Sequence, residues 1–410
     1  MKLAIDGGPK VRTKPWPSRV QIDDAEIQAV NDLMRKCRKG GAFDRYGGEQ
    51  VDLYEKEFAR FYGAKYATAC SAGTAAVHTA LGALRLNPLS EVISAPITDN
   101  GAVMPIVWCG CIPIPADADA ETMNMDPKSI EKRITRKTKA IIAGHIAGSP
   151  CDMGAIMRIS RKHGIPVIED CSQAHAAEYR GKKCGAIGHL GVFSLMSGKH
   201  STAGGQGGMV ITNDEELYWT AKRFADRGKP FGVEGANGSV MLGLNYRMTE
   251  LEAAIGRVQL KKTPAIVRNR RKVVARIGKN IKDLKAVRLG KVVAGGTSSY
   301  WFLLVRVDER KLTVTKDEFA RAVVAEGIPG STRYEAIPFH QDWMKKRATF
   351  GKAKWPWSLS PRKIDYTHMV PNAYRANDLH FRLSVHECFG AREADDMARA
   401  LVKVEKAYRR

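Results

Sequence analysis

The sequence predicts an α/β protein: a large domain on a mostly parallel sheet, followed by a smaller C-terminal α+β domain. Two observations carry this. Between Tyr66 and Thr212, short apolar runs alternate with longer amphipathic segments, the pattern of strands that each lead into a covering helix. From about Lys262 the composition shifts to a long basic helix and a more mixed succession of strand and helix. The expected division is an extended arm over 1–22, a large domain over 23–261 and a small domain over 262–410.

Prolines at 9, 15 and 17 keep the arm extended. Asp23 and Asp24 cap a helix to about Cys37, ended by Arg38-Lys-Gly-Gly41. Gly48-Glu49 opens a second helix with Val51, Leu53, Tyr54, Phe58 and Phe61 on its apolar side. Tyr66–Cys70 is the first strand, and Ser71-Ala-Gly-Thr74 turns from it into a helix carrying Val77, Ala80 and Leu81. Further strands are expected at Glu91–Ala95, Cys111–Ala116, Thr138–His145, Ile165–Asp170, Leu190–Leu195 and Met209–Thr212. Helices are expected at Asp126–Ile134, Asp152–His163 and Glu215–Asp226, and a glycine-rich loop at Phe231–Val240. Gly243–Glu250 leads into a helix with Leu251, Ala254, Ile255, Val258 and Leu260 inward. A basic helix to about Leu284, a strand at Tyr300–Arg306 and a helix at Lys316–Glu326 follow. A stretch rich in proline and aromatics then precedes a final helix from Ala391 to Ala407.

Composition narrows the function. The start turns acidic at Asp6 before any apolar region develops, so no signal peptide is expected. The longest apolar run, Gly101–Ala116, is interrupted by prolines at 105, 113 and 115 and is too short to span a bilayer. Eight cysteines lack CxxC pairing, and Cys109-Gly-Cys111 is not a zinc spacing; they read as reduced thiols of a cytoplasmic protein that binds no metal. The formal net charge is +23, but Lys and Arg are spread through helices without a long basic run, so nucleic acid is not the expected partner. Such a surface raises the local concentration of anionic small molecules, phosphate cofactors and nucleotide sugars among them.

The chemistry concentrates between Val192 and Val210. A buried strand delivers Ser194 and then Lys199 into a loop with glycines at 204, 205, 207 and 208, which let backbone approach something closely. A lysine between two buried strands suits an amine meant to react; the alternative is a surface hairpin that happens to contain it. Upstream, Ile165-Pro-Val-Ile-Glu-Asp170 is a strand followed by Cys171-Ser172-Gln173-Ala174-His175, and its final Asp sits where open α/β sheets bind ligands. Taken alone, Asp170 reads as a helix cap and Gln173 as a solvated turn. Taken with Lys199, they match the two protein groups that a pyridoxal phosphate enzyme needs: a lysine for the Schiff base and a carboxylate that keeps the pyridine nitrogen protonated. The Gly73-Thr74 turn at a helix N-terminus is a ready phosphate site, though it also fits an ordinary cap.

Several stretches fall in one family's order and spacing: Phe61-Tyr-Gly63, Ser71-Ala-Gly-Thr74, Thr135–Ile142, Val167–His175, Phe193-Ser194 with Lys199, Gly207-Gly208 and Gly243–Ala254. In these the chain resembles the DegT/StrS sugar aminotransferases, from about Asp23 onward. The resemblance implies the aspartate aminotransferase-like fold, type I, with pyridoxal 5′-phosphate as cofactor. It implies that Lys199 carries the Schiff base, Asp170 pairs with the pyridinium nitrogen and Gln173 lies by the ring's phenolic oxygen. Gly73, Thr74 and Ser194 would hold the phosphate, and Asn245 would reach it from the neighbouring subunit of a homodimer. Amino transfer from glutamate or glutamine to a keto-sugar or keto-cyclitol is the implied reaction. The EDCSQAH stretch and Ser197–Gly208 look closest to the branch acting on ketones such as scyllo-inosose, although Gln206 stands where the family usually has an acid.

A second departure is Asp99. The family commonly places a ring-stacking aromatic there. Two readings stand side by side: an unstacked ring held less tightly, with a carboxylate near it that alters which chemistry follows, or an aromatic arriving from elsewhere, with Trp108 and Tyr334 available. Asp99, His340, Arg247 and Tyr334 are the candidate substrate contacts, and His175 either supports the Asp170 side of the ring or fills core. A dehydratase or lyase on a sugar, or a non-catalytic cofactor-binding regulator, would share most of these residues. A dinucleotide-dependent dehydrogenase fails for want of GxGxxG after the first strand.

Overall fold

The computed structural model describes residues 2–40, 43 and 46–410. Seven strands form the main sheet, in the order Tyr66–Cys70, Gly208–Thr212, Leu190–Ser194, Val167–Asp170, Thr138–Gly144, Glu91–Ser94 and Ile112–Pro115. All run parallel except Gly208–Thr212, which is antiparallel to both neighbours. Successive residues of a strand face opposite sides. Ile93, Ile141 and Val167 therefore join the core on one face, and Val92, Ile142 and Ile168 that on the other. Burial on both faces is why these strands read as unbroken apolar runs rather than as alternation.

The helix Glu49–Tyr62 covers the sheet beside Phe193, with the Phe58 and Tyr62 rings 5.0 and 4.4 Å from it, centroid to centroid. The first helix spans Asp24–Gly40; Gly41, expected to end it, lies outside the described residues. Thr249 and Glu252 form a capping box for the helix Glu250–Asn280. This helix runs without a break past the composition shift at Lys262, although Pro264 forfeits one of its backbone hydrogen bonds. Its course packs it against Asp24–Gly40, Glu49–Tyr62 and the C-terminal helix Ala391–Tyr408.

A second, antiparallel sheet orders Val287–Leu289, Leu303–Val307, His380–Leu383 and Gly330–Ser331. The helices Lys316–Ala325 and Ala391–Tyr408 cover it through Phe319, Val323, Met397 and Leu401. Leu3 is buried in the same cluster, so the N-terminal arm is docked there. The strand expected from Tyr300 begins at Leu303 instead. Tyr300 has φ 52°, and the backbone N–H groups of Ser299 and Trp301 donate to Gly148 and Ala147 at 2.9 and 3.1 Å. These bonds pull the segment out of the sheet and over the loop after Gly144. All eight cysteines are free thiols. Among the described residues, no helix is long and apolar enough to cross a membrane.

Candidate active site

The parallel strands end on one side of the sheet, and their ends frame a cavity of about 230 Å³. Asp170 closes its strand, Ser194 closes the neighbouring one, and the loop from Leu195 to Gly207 returns the chain to the antiparallel strand. On the far side of that strand, the helix Gly73–Ala83 begins. Its N-cap is Ala72, whose side chain cannot cap, so the first-turn N–H groups and the positive end of the dipole open toward the cavity. Two glycines let this helix end come so close. A Cβ on Gly73 would lie 2.5 Å from the Ser194 Cβ, and one on Gly208 would lie 2.2 Å from the Ala72 carbonyl oxygen. The Ser194 hydroxyl and the helix N-terminus are thus brought into one corner of the cavity, whose N–H groups and dipole suit an anion.

Lys199 is buried, with 8% of its surface exposed, and its Nζ lies 4.2 Å from the centroid of the Trp301 ring. Burial lowers its pKa, while the carboxylates of Asp170 and Asp99 act in the opposite direction. An amine so placed gives up its proton more readily than a surface lysine, which a nucleophile or base requires. Asp170 is also buried; its Oδ1 accepts the Ser172 N–H at 3.0 Å, the turn-capping bond open to it from the sequence, while the carboxylate also lines the cavity. Gln173 accepts from the Ala147 N–H at 3.0 Å and donates to the Tyr334 hydroxyl at 2.8 Å. Burial raises the Tyr334 phenol to about 12, so it stays neutral.

Asp99 lies at the exposed mouth of the cavity, with Oδ1 held by the Gly101 N–H at 2.8 Å. The aromatic walls are Trp301 and Tyr334. Trp108 is not among them: it is 57% exposed and stacks edge-on against Phe350, 4.6 Å away. Nothing in the sequence singled out Trp301, which looked like part of a strand. Gln206 also lines the cavity.

Three candidates lie elsewhere. Both ring nitrogens of His340 are engaged, Nε2 with the Tyr366 carbonyl at 2.9 Å and Nδ1 with the Tyr374 hydroxyl, so it ties its turn to the helix Pro371–Leu379 and the segment before it. Arg247 is ion-paired to Asp226, away from the cavity of its own chain. Asn245 is exposed, paired through its backbone with Asp226. His175 sits beneath the cavity: Nε2 bonds the Ser194 carbonyl at 2.9 Å, and burial lowers its pKa to about 4, so it is neutral. Behind Asp170, Glu169 accepts N–H groups from Ile187 and Gly188 and pairs with His145 at 3.0 Å.

A buried amine, a buried carboxylate and an anion corner on one cavity are what an enzyme of amine chemistry needs. The model of the DegT/DnrJ/EryC1/StrS aminotransferase family matches residues 21–364. The chain belongs to this family. Among its relatives is the GDP-perosamine synthase of Caulobacter vibrioides, 37% identical over 68% of this chain and 75% of that protein. The L-glutamine:2-deoxy-scyllo-inosose aminotransferase of Streptomyces fradiae is 29% identical over 98% of this chain and 97% of that one. The X-ray structure of the aminotransferase from Psychrobacter cryohalolentis superposes with a TM-score of 0.82 at 30% identity, covering 96% of this chain and 99% of that one. The fold is that of the type I pyridoxal phosphate enzymes, and the protein is an aminotransferase with pyridoxal 5′-phosphate as its cofactor. The donor set fits that group: N–H groups and a hydroxyl for a phosphate, a carboxylate for a pyridinium and an amine for an aldehyde.

Proposed function

We propose that this aminotransferase moves an amino group from glutamate or glutamine to a keto-sugar or keto-cyclitol in two half-reactions. The observation that carries the reading is that Lys199, Asp170 and the Gly73–Thr74–Ser194 corner open on one cavity. When bound, pyridoxal phosphate supplies an aldehyde carbon for amine exchange and a ring that accepts the electron pair left on Cα.

This chain's residues do the rest. Gly73, Thr74 and Ser194 bind the phosphate through N–H and hydroxyl groups. Asp170 holds a proton on the pyridine nitrogen, which keeps the ring an acceptor of electrons. Gln173, fixed between Ala147 and Tyr334, orients the phenolic edge. Lys199 would hold the group through its aldehyde, and the lysine amine, when free and unprotonated, would take the proton from the donor's Cα on to its own Nζ and later give it back. Trp301 excludes water from the amine, which keeps the proton transfer between defined groups.

The sugar or cyclitol class rests on the family and on the activities that the relatives' names carry. Asp99 and Tyr334 are the substrate-facing groups we favour, since both line the cavity. We further propose a cytoplasmic homodimer in which Asn245 reaches the partner's phosphate. Asn245 is exposed in a segment whose Leu242 and Leu244 are also exposed, at 87% and 43%, which suits a surface covered by a second copy.

The test is a single-turnover assay. The purified enzyme is incubated with glutamate or glutamine and then with a panel of keto-sugars and keto-cyclitols, and both products are quantified. Stoichiometric keto acid followed by aminated sugar supports the reading. Loss of a hydroxyl from the sugar without amine transfer would replace it with a dehydratase, and failure of the wild type to take up pyridoxal phosphate would overturn it.

A further inference from the structure

Three successive carbonyls of the loop that carries Lys199 accept hydrogen bonds from outside it. The Gly198 carbonyl accepts from the Trp301 indole N–H at 3.1 Å. That of Lys199 accepts from Arg19 Nη2 at 2.6 Å and from Gln21 Nε2 at 3.1 Å. Arg19 Nη2 also reaches the His200 carbonyl at 3.3 Å. Arg19 and Gln21 belong to the N-terminal arm, more than 170 residues away in sequence.

The arm is itself held. Arg19 Nε pairs with Glu387 at 2.6 Å, and the Gln21 carbonyl accepts from Gln259 Nε2 at 2.6 Å. Glu387 joins a second, almost fully buried guanidinium, Arg270, at 2.8 Å. Arg270 in turn donates to the Tyr300 and Trp301 carbonyls at 2.9 and 3.1 Å. One carboxylate thereby ties together the clamp on the lysine's backbone and the clamp on the tryptophan that faces its amine. Charge-assisted bonds from a planar, half-buried fork fix position more strictly than neutral ones.

We propose that Arg19, bridged to Arg270 by Glu387, is a positioning residue of the active site: its fork on the carbonyls of residues 199 and 200, rather than docking of the arm in general, sets where the Lys199 amine stands. Without the fork, the bonds that tie the backbone at residues 198–200 to groups outside the loop are those with Trp301 and Gln21, beside the Lys199 N–H to the Met196 carbonyl within it. Nζ then samples positions off the Trp301 face, where it is better hydrated. The inference rests on the reading of Lys199 as the reactive amine.

The experiment compares wild type, Arg19→Met, Arg19→Lys and Arg12→Met. Arg12 anchors the same arm to Asp396 at 2.7 Å without touching the lysine loop, so Arg12→Met controls for a merely looser arm. The first readout needs no cofactor: labelling of Lys199 by trinitrobenzenesulfonate in the whole chain stripped of pyridoxal phosphate, followed by peptide mass spectrometry across pH. The second is pyridoxal phosphate affinity by titration. Arg19→Met is expected to raise the pH midpoint of labelling and to weaken cofactor binding roughly tenfold or more. Arg19→Lys should recover part of both, and Arg12→Met should change neither by more than about twofold while lowering the melting temperature. The proposal is overturned if Arg19→Met matches wild type in both readouts, or if Arg12→Met moves them as far. Should Arg19→Met fail to fold, Gln21→Ala, which removes one donor to the Lys199 carbonyl, must still shift the midpoint in the same direction. A wild type that labels at Lys199 but binds no pyridoxal phosphate would sink the functional reading and leave the positioning role standing.

Discussion

Substituting Gly73 by alanine tests the phosphate corner directly. The new Cβ would lie 2.5 Å from the Ser194 Cβ and 2.9 and 3.0 Å from its Oγ and Cα. Carbon atoms rest at about 3.5–4.0 Å, so the helix end and the Ser194 strand must part by roughly 1 Å. Overpacking of this kind costs about 1–3 kcal/mol. Relief of glycine's entropic penalty returns up to about 1 kcal/mol, leaving a net loss of about 0–3 kcal/mol. Function suffers more, because a displacement of ~1 Å between positioned groups costs up to ~100-fold. Gly73→Ala should therefore fold, melt a few degrees lower at most, and bind pyridoxal phosphate ten to a hundred times more weakly, on the order set by that displacement. Gly82→Ala is the control. It lies in the same helix, and its Cβ would meet the Phe224 ring at 2.4 Å, away from the cavity. It should lose stability without losing cofactor affinity. If Gly73→Ala binds the cofactor within threefold of wild type, or Gly82→Ala loses as much, the corner does not hold the phosphate as argued.

Three further outcomes are expected. Asp99→Asn removes a carboxylate that raises the Lys199 pKa, so the pH midpoint of Lys199 labelling should fall, and an unchanged or higher midpoint would exclude that coupling. Lys199→Met should make the cofactor-free protein more stable at neutral pH by about 0.5–2 kcal/mol. Burial depresses this pKa, so the unfolded chain holds the proton more tightly, and the wild type carries the penalty at all pH values below its folded pKa; equal melting curves would refute this. His175 and His380, both brought down to about 4 by burial, stay neutral in the fold while the unfolded chain protonates near 6.5. Stability should hold above about pH 6.5 and fall between there and about 4, by at most ~1.4 kcal/mol per pH unit for each. Urea denaturation at pH 7, 5.5 and 4.5 measures this, and a flat profile would contradict the neutral assignment.

The strands were legible because burial on both faces leaves an unbroken apolar run, and the site was legible because its polar residues stand at strand ends. Asp170 and Lys199 were legible only as a pair, since each alone reads as a cap or a surface hairpin, and the role of Ser194 came from the family resemblance. Trp301 was not legible: its neighbours Phe302, Leu303 and Leu304 spell a strand, and the left-handed Tyr300 that diverts the chain carries no signature in a residue other than glycine or asparagine. Arg19 was hidden for a different reason. An extended arm has no periodicity to read, and its partners lie at positions 199, 200 and 387. His340 shows the opposite failure: a histidine in an aromatic loop looks like chemistry until its two nitrogens are seen to be taken up by Tyr366 and Tyr374. The composition shift at Lys262 is real, but a helix can change its surroundings without stopping.

That uninterrupted helix bears on how the molecule can be taken apart. At 1.5 Å per residue its 31 residues make a rod of about 46 Å. Cutting between 261 and 262 would leave each piece holding an unequal stump of the rod, with four orphaned backbone groups at the cut on either side. A dissection that hopes to recover two folded pieces has to assign the rod whole to one of them and let the other dock against it as a guest.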